Sequence, residues 1–404
     1  SIQKRLVETV LLWALIGYPL MGIYTTVSGV DNRTVSIALR LIIAAVCVFL
    51  IAKAISDNRF KINGLFATFL ILYFIRLVYE YSYQNNDYAL VAIQFYLLSV
   101  AIPAIAVGSY SEYLLLSQKR IVFLLSFSGV LFLPAYFYAF KNGLLFTQGT
   151  DEFNVRYAAE AVNAVSLGHV TCTIAIASFF YLIEYRPRLT LYAVLATVLA
   201  GAGVALFLSG ARAGIVGLVV AAVVYAVARP SRLAILLPFA LGGLMYLPQD
   251  HYLVKRMNDL VNAQWDKGSL ARLEVQSTAI SDFIDSPIVG KHFIDMSWGP
   301  GLYPHNILIE ILMALGLIGA VPLYLIFGMS IYRAIKFRAD ITFYTIIYMV
   351  SFAFLQTSGA IWSAGNLFVL TSVFLATSNN FVPSPLAGLP RSNRTVNGSV
   401  HAHL

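Results

Sequence analysis

"LRLIIAAVCVFLIA", residues 39–52, decides the fold class. Its side chains do not alternate between apolar and polar, as membrane β-barrel strands do in segments of about ten residues. Apart from Arg40 it is apolar all round, the composition of a helix surrounded by lipid or by other helices. A crossing helix needs roughly 20 mostly apolar residues, and such stretches recur on both sides of this one. They fall near residues 6–28, 35–54, 62–79, 88–108, 121–140, 158–183, 189–208, 212–228, 232–247, 305–334, 341–357 and 362–379. The expected fold is therefore all-α and polytopic, with about twelve transmembrane helices.

Composition agrees. Of 404 residues, 59% are hydrophobic and 11% charged, whereas soluble domains carry about 25% charged residues. The mean hydropathy is +0.77. The first apolar stretch is too long for the core of a cleaved signal and lacks a cleavage pattern, so it is read as a retained span. The two cysteines, Cys47 and Cys172, lie inside apolar runs. They allow neither a disulfide framework nor a zinc site.

The net charge of +8 is a topology signal, not a nucleic-acid patch. One set of loops carries Lys4, Arg5, Lys53, Arg59, Lys61, Lys119, Arg120, Arg186, Arg188, Arg229, Arg232, Arg333, Lys336, Arg338, Arg391 and Arg394. The short loops of the other set carry only Arg33, Lys141, Arg156 and Arg212. The positive-inside rule puts both termini in the cytoplasm.

Four segments follow. Residues 1–247 hold the first nine helices, 248–304 a long outer loop, 305–380 the last three helices, and 381–404 a polar tail read as disordered and cytoplasmic. Within the loop, "HYLVKRMNDLVNAQW" (251–265) and "SLARLEVQSTAISDFI" (269–284) place apolar residues at helical spacing. Ser269 is the expected cap of the second, and "DSPIVG" (285–290) ends it. Arg40 and Arg76 fall within apolar spans, where a charge is costly. Arg76, near the outer end of its span, is expected to extend toward the membrane surface; Arg40, about a turn and a half from its outer end, has the reach to do likewise.

The most distinctive stretch is "YPHNILIEILMALGLIGAVP" (303–322), with His305, Asn306, nine residues, Gly316, two residues and Gly319. This H-N-x9-G-x-x-G pattern resembles the signature of bacterial O-antigen ligases. Their wider superfamily includes O-antigen polymerases and protein O-oligosaccharyltransferases. "SGARAG" at 209–214 and a single long loop before the last spans are also similar to that pattern.

The resemblance implies a membrane-embedded glycosyltransferase with a small helical periplasmic loop domain, in the bacterial inner membrane. It implies en bloc transfer of a polysaccharide from undecaprenyl pyrophosphate to a hydroxyl of the lipid A–core oligosaccharide, at the periplasmic face. Such enzymes are inverting and need no cofactor and no metal. The implied partners are the lipid-linked O-antigen, lipid A–core and membrane lipids.

The chemistry suits the residues. A sugar hydroxyl needs a base within hydrogen-bond reach, and an imidazole with an ordinary pKa of about 6.5 can serve. His305 is the candidate, either as base or as an orienting group. The positive end of the following helix favours its neutral form. The leaving diphosphate gathers charge that something cationic must stabilise. No Asp-x-Asp metal pair is present, and arginine grips phosphate oxygens in two places.

Arg212, Arg272 and Arg156 are the three candidates for pyrophosphate binding. Their bland readings are an interfacial anchor, a partner of Glu274, and a partner of Asp151 or Glu152. Asn306 either orients the acceptor or caps the helix. Gly316 and Gly319 permit close helix contact or a break. Asp282 and Asp285 are expected to face water. His251, His292 and His169 have no assigned role. Trp298 and Tyr303 are read as interfacial anchors. Glu310 is left outside the site because its spacing does not set it on the His305 face.

Rival readings are a polymerase, which tends to carry two large loops, and a protein O-oligosaccharyltransferase, which often carries a soluble region after its last span. A lipid-linked sugar flippase is the rival from another class. It is expected to show broken helices, midplane charge and inverted repeats.

Overall fold

The computed structural model describes residues 2–147, 157–158, 162–230, 267–298 and 303–377. In chain order its helices are α1 (Ile2–Ser28), α2 (Asn32–Ser56), α3 (Gly64–Tyr83), α4 (Asp87–Gly108), α5 (Ser111–Leu116), α6 (Gln118–Lys141), α7 (Ala164–Tyr185), α8 (Leu189–Ser209), α9 (Arg212–Ala228), α10 (Lys267–Asp285), α11 (Ile307–Lys336), α12 (Thr342–Leu355) and α13 (Gly365–Ala376). The strand pairing among the described residues is Phe146–Thr147 against Tyr157–Ala158.

Among the described residues, eight helices are long and apolar enough to cross a membrane: α1 to α4, α6, α7, α8 and α11. Helices α9, α12 and α13 are shorter and apolar. Apart from that short strand pair the elements among the described residues are helical, as in a polytopic membrane protein. The expected span 232–247 and the expected loop helix 251–265 lie outside the described residues, as does the tail from 381.

Short polar side chains start several helices by accepting backbone N–H groups that have no partner within the helix. Asp31 accepts from Thr34 at 2.8 Å, Asn63 from Phe66 at 3.1 Å and Asn163 from Ser166 at 2.8 Å. The Asn163 cap corrects one boundary: α7 starts at Ala164, not at 158. Helix α10 starts at Lys267, so Ser269 lies inside it rather than at its cap.

Helix α7 is the most enclosed span; α6, α8 and α9 pack around it. Helix α13 packs on α4, and α11 packs on α3 and α10. Phe66 and Phe69 stack on Phe368, and Phe327 meets it at a tilt, which fills the α3–α11–α13 contact. Two spans carry a turn of wider π-helix, α1 at Trp13–Gly17 and α4 at Tyr96–Ala101.

Helix α11 is discontinuous. Gly316 has φ 57° and ψ −150°, a conformation open to glycine and costly for other residues. Of the two options that the sequence left for Gly316, the structure shows the break. Gly319 leaves room for the Leu315 side chain, which folds back over it.

Candidate active site

Asn306 caps α11. Its carboxamide oxygen accepts from the amides of Leu308 and Ile309, at 3.0 and 3.2 Å. The residue just before the cap is His305, at φ 57°. A non-glycine residue in the left-handed region costs about 1–3 kcal/mol unless its surroundings enforce it, and such positions gather at functional sites.

Here the surroundings do enforce it. Gln276 on α10 donates to the Pro304 carbonyl at 3.0 Å. The Tyr303 ring packs on the His305 ring with centroids 4.3 Å apart, and Trp362 meets Tyr303 edge-on at 6.4 Å. Tyr303 thus packs inward on His305 rather than serving as a surface anchor. Burial, the first of several causes, pushes its hydroxyl up to about 12.

Glu310, left aside in the sequence, anchors this corner. Its carboxylate is fully buried in the first turn of α11. It accepts from the Ile361 amide at 3.0 and 3.1 Å and from the Tyr73 hydroxyl at 3.0 Å. One residue therefore ties α11 to α3 and to the turn that carries Trp362. Tyr73 lies ten residues before the end of α3, about 15 Å at the helical rise per residue. The start of α11 is thus sunk below the end of α3.

The α10 loop is fastened to the break in α11. The Leu317 amide donates to the Pro287 carbonyl at 2.8 Å, and the Ile318 amide to the Ile288 carbonyl at 3.1 Å. In return the Lys291 amide donates to the Met313 carbonyl at 2.8 Å. Two amides and one carbonyl beside the break thereby find partners, as a membrane-embedded backbone requires.

Two glycines make the approach possible. A Cβ on Gly316 would lie 2.6 Å from backbone atoms of Pro287 and Ile288, and one on Gly290 would lie 2.5 Å from the Ala314 backbone. The Pro-x-x-Gly turn and the first glycine of H-N-x9-G-x-x-G are two halves of one joint.

Next to the joint, Asp282 is buried, contrary to the expectation that it faces water; Asp285 is exposed. The Lys291 ammonium lies 2.8 Å from Asp282 and 3.0 Å from Asp285, and His292 Nε2 lies 2.9 Å from Asp282. These carboxylates raise the Lys291 pKa. Asp282, His292 and Asp295 are close enough to hold a cation between them, but the ammonium already sits on Asp282.

Arg76 corrects a second expectation. It is buried and paired with Glu80 at 2.8 Å rather than extended to the surface. Glu80 also accepts from the Phe293 amide at 3.3 Å and so holds the far end of the loop.

Burial, then the positive charge of Arg272, holds the His305 imidazole down to about 4. It is neutral at physiological pH. Its Nδ1 is buried, and neither ring nitrogen has a hydrogen-bond partner among the described residues. Arg272 lies one helical turn before Gln276 on α10, half-buried, and its field reaches both His305 and Tyr303.

Arg212 is the first residue of α9, after a turn in which Gly210 has φ 63°. Small residues seat that turn on α7: a Cβ on Gly168 would lie 2.5 Å from the Ala211 Cβ. Arg212 stands at the same end of the bundle as His305. Arg156 lies outside the described residues, as does His251. His169 stacks on Phe354 at 3.8 Å inside the bundle, and Trp298 is half-buried in a 3-10 turn.

Residues 195–324 match the family model described as O-antigen ligase. The matched segment runs from α8 into α11 and contains Arg212, Arg272, His305, Asn306, Gly316 and Gly319. No curated protein and no solved structure matches the chain.

Proposed function

We propose, from the match of residues 195–324 to the O-antigen ligase family model, that the chain transfers a polysaccharide en bloc from undecaprenyl pyrophosphate to a hydroxyl of lipid A–core. The observation that carries this reading is a neutral imidazole with no hydrogen-bond partner among the described residues, within the field of an arginine and on a backbone strained into place.

In the proposed step the acceptor oxygen attacks the anomeric carbon of the first sugar. The bond from that carbon to the phosphate oxygen breaks, with inversion. His305 takes the hydroxyl proton, and undecaprenyl pyrophosphate leaves with both electrons of the broken bond. Arg272 and Arg212 hold the diphosphate and stabilise its growing charge, with Arg156 as a third contact. Asn306 is spent on the helix cap, so its part is to fix the direction of His305. A diphosphate on Arg272 offsets the charge that depresses His305 and makes it a stronger base when the donor is bound.

A broken helix is also a transporter feature. Here both amides freed by the break are taken by the Pro287 and Ile288 carbonyls, which favours a static joint over a coordination site. The test is transfer by the purified chain in detergent, with lipid-linked O-antigen and lipid A–core. The expected product is capped lipid A–core. Longer chains on the donor lipid would mean a polymerase, and activity only across a sealed membrane would mean a flippase.

Two further outcomes follow from the site. Replacing Arg272 or Arg212 by Ala is expected to lower kcat/KM about 10²- to 10³-fold. Lysine is expected to restore little, because the paired donors of the guanidinium are lost. Full rescue by lysine would reduce the requirement to a point charge.

The free enzyme's kcat/KM is expected to be flat from about pH 8 down to about pH 5.5, and to fall only as His305 gains its proton near pH 4. Arg272→Gln removes a charge that lowers the His305 pKa, so the acid limb of its residual activity should move to higher pH. An acid limb at the same pH in both proteins would contradict the coupling.

A further inference from the structure

Arg40 remains without a task. It lies on α2, eight residues from the helix start, about 12 Å along the axis. It is only 8% exposed. Among the described residues its guanidinium has no carboxylate partner and donates no hydrogen bond. Its neighbours are rings: Phe95 lies 3.9 Å and Tyr18 5.3 Å from the guanidinium carbon. A guanidinium held at that depth between rings, with no anion among the described residues beside it, is costly unless a ligand supplies one.

Two more observations mark the position. Tyr18 directly follows the π-helical turn of α1, and Phe95 directly precedes that of α4. Such turns cost regular hydrogen bonding and cluster at functional sites. Here both flank the same guanidinium. The rings also continue to the active site: Phe95 meets Trp362 at 5.5 Å, Trp362 meets Tyr303 at 6.4 Å, and Tyr303 meets His305 at 4.3 Å. Tyr88 closes the group edge-on to Trp362 at 5.9 Å.

We propose that Arg40, backed by Phe95 and Tyr18, is an anion subsite next to the His305 pocket that binds the phosphate of a polyprenyl-linked substrate within the bilayer. The assignment of that phosphate to a substrate rests on the proposed transferase function; the binding itself does not. The edge of a guanidinium is where a phosphate takes two parallel N–H donors. Apolar rings around it suit the head of a polyprenyl chain better than a hydrated free anion.

The experiment uses the full chain in nanodiscs of phosphatidylcholine and measures retention of polyprenyl monophosphate and of uncharged polyprenol. No acceptor sugar is present, so a failure of transfer activity leaves this result readable. Wild type is expected to prefer the phosphate, and Arg40→Gln to reduce its retention about tenfold, the loss of a charge-assisted pair, with polyprenol retention unchanged. Phe95→Leu keeps the charge, removes the ring, and is expected to weaken phosphate binding severalfold. It also serves where Arg40→Gln fails to yield monodisperse protein.

A second arm adds phosphatidylglycerol in excess. Polyprenyl phosphate that stays bound supports a substrate subsite, and displacement in proportion to the added phosphatidylglycerol would overturn it in favour of bulk headgroup binding. Wild-type retention in both variants would overturn the subsite altogether.

Discussion

His305→Ala is expected to lower transfer about 10²- to 10⁴-fold, the usual contribution of a positioned proton acceptor, while the protein still folds. The imidazole makes no hydrogen bond among the described residues, so its removal breaks no polar network. Alanine in the left-handed region keeps the backbone strain that histidine already bears. The variant should therefore match wild type in yield and melting temperature. A steady-state transfer assay alongside a thermal melt separates the two effects. Activity within a few-fold of wild type would remove His305 from the chemistry.

The second large effect is expected at the joint between α10 and α11. Gly316→Ala places a Cβ 2.6 Å from the carbonyls of Pro287 and Ile288, at a φ of 57°. Relief requires the Pro287–Gly290 turn to withdraw, which frees the Leu317 and Ile318 amides. Each unsatisfied backbone group in a membrane protein costs several kcal/mol. The expected result is near-complete loss of activity and a lower melting temperature, with the same outcome for Gly290→Ala. Gly328→Ala, in the same helix with nothing within 4 Å of its new Cβ, should leave both unchanged. Wild-type behaviour of Gly316→Ala would show that transfer does not depend on the joint.

These two positions show what could be read before the structure. Apolar runs marked the spans because lipid demands them on every face, and the described helices follow those runs closely. Helix α10 was legible from its spacing and Asp285–Gly290 from its turn residues. The docking of that turn into the break was not, because backbone hydrogen bonds between distant segments leave no side-chain signature. Gly316 and Pro287–Gly290 were visible singly but not as a pair.

Glu310 escaped for the same reason, since its main partner is the Ile361 amide. Two misreadings had usable signals. Arg76 and Glu80 are four residues apart on one helix, the spacing of an ion pair, and Asn163 is a cap placed directly before the true start of α7. The burial of Asp282 had no such signal, because Lys291 and His292 reach it only after the chain has turned at Gly290.

The central claim is that one end of the bundle gathers a neutral histidine and arginines around a lipid diphosphate. The most direct measurement is an experimental structure of the full chain with a non-transferable undecaprenyl pyrophosphate sugar analogue. Diphosphate oxygens are expected within about 3 Å of the Arg272 and Arg212 guanidinium groups, with the His305 imidazole facing the anomeric carbon from the side opposite the phosphate. A diphosphate bound away from both arginines, or a His305 ring turned from that carbon, would contradict it.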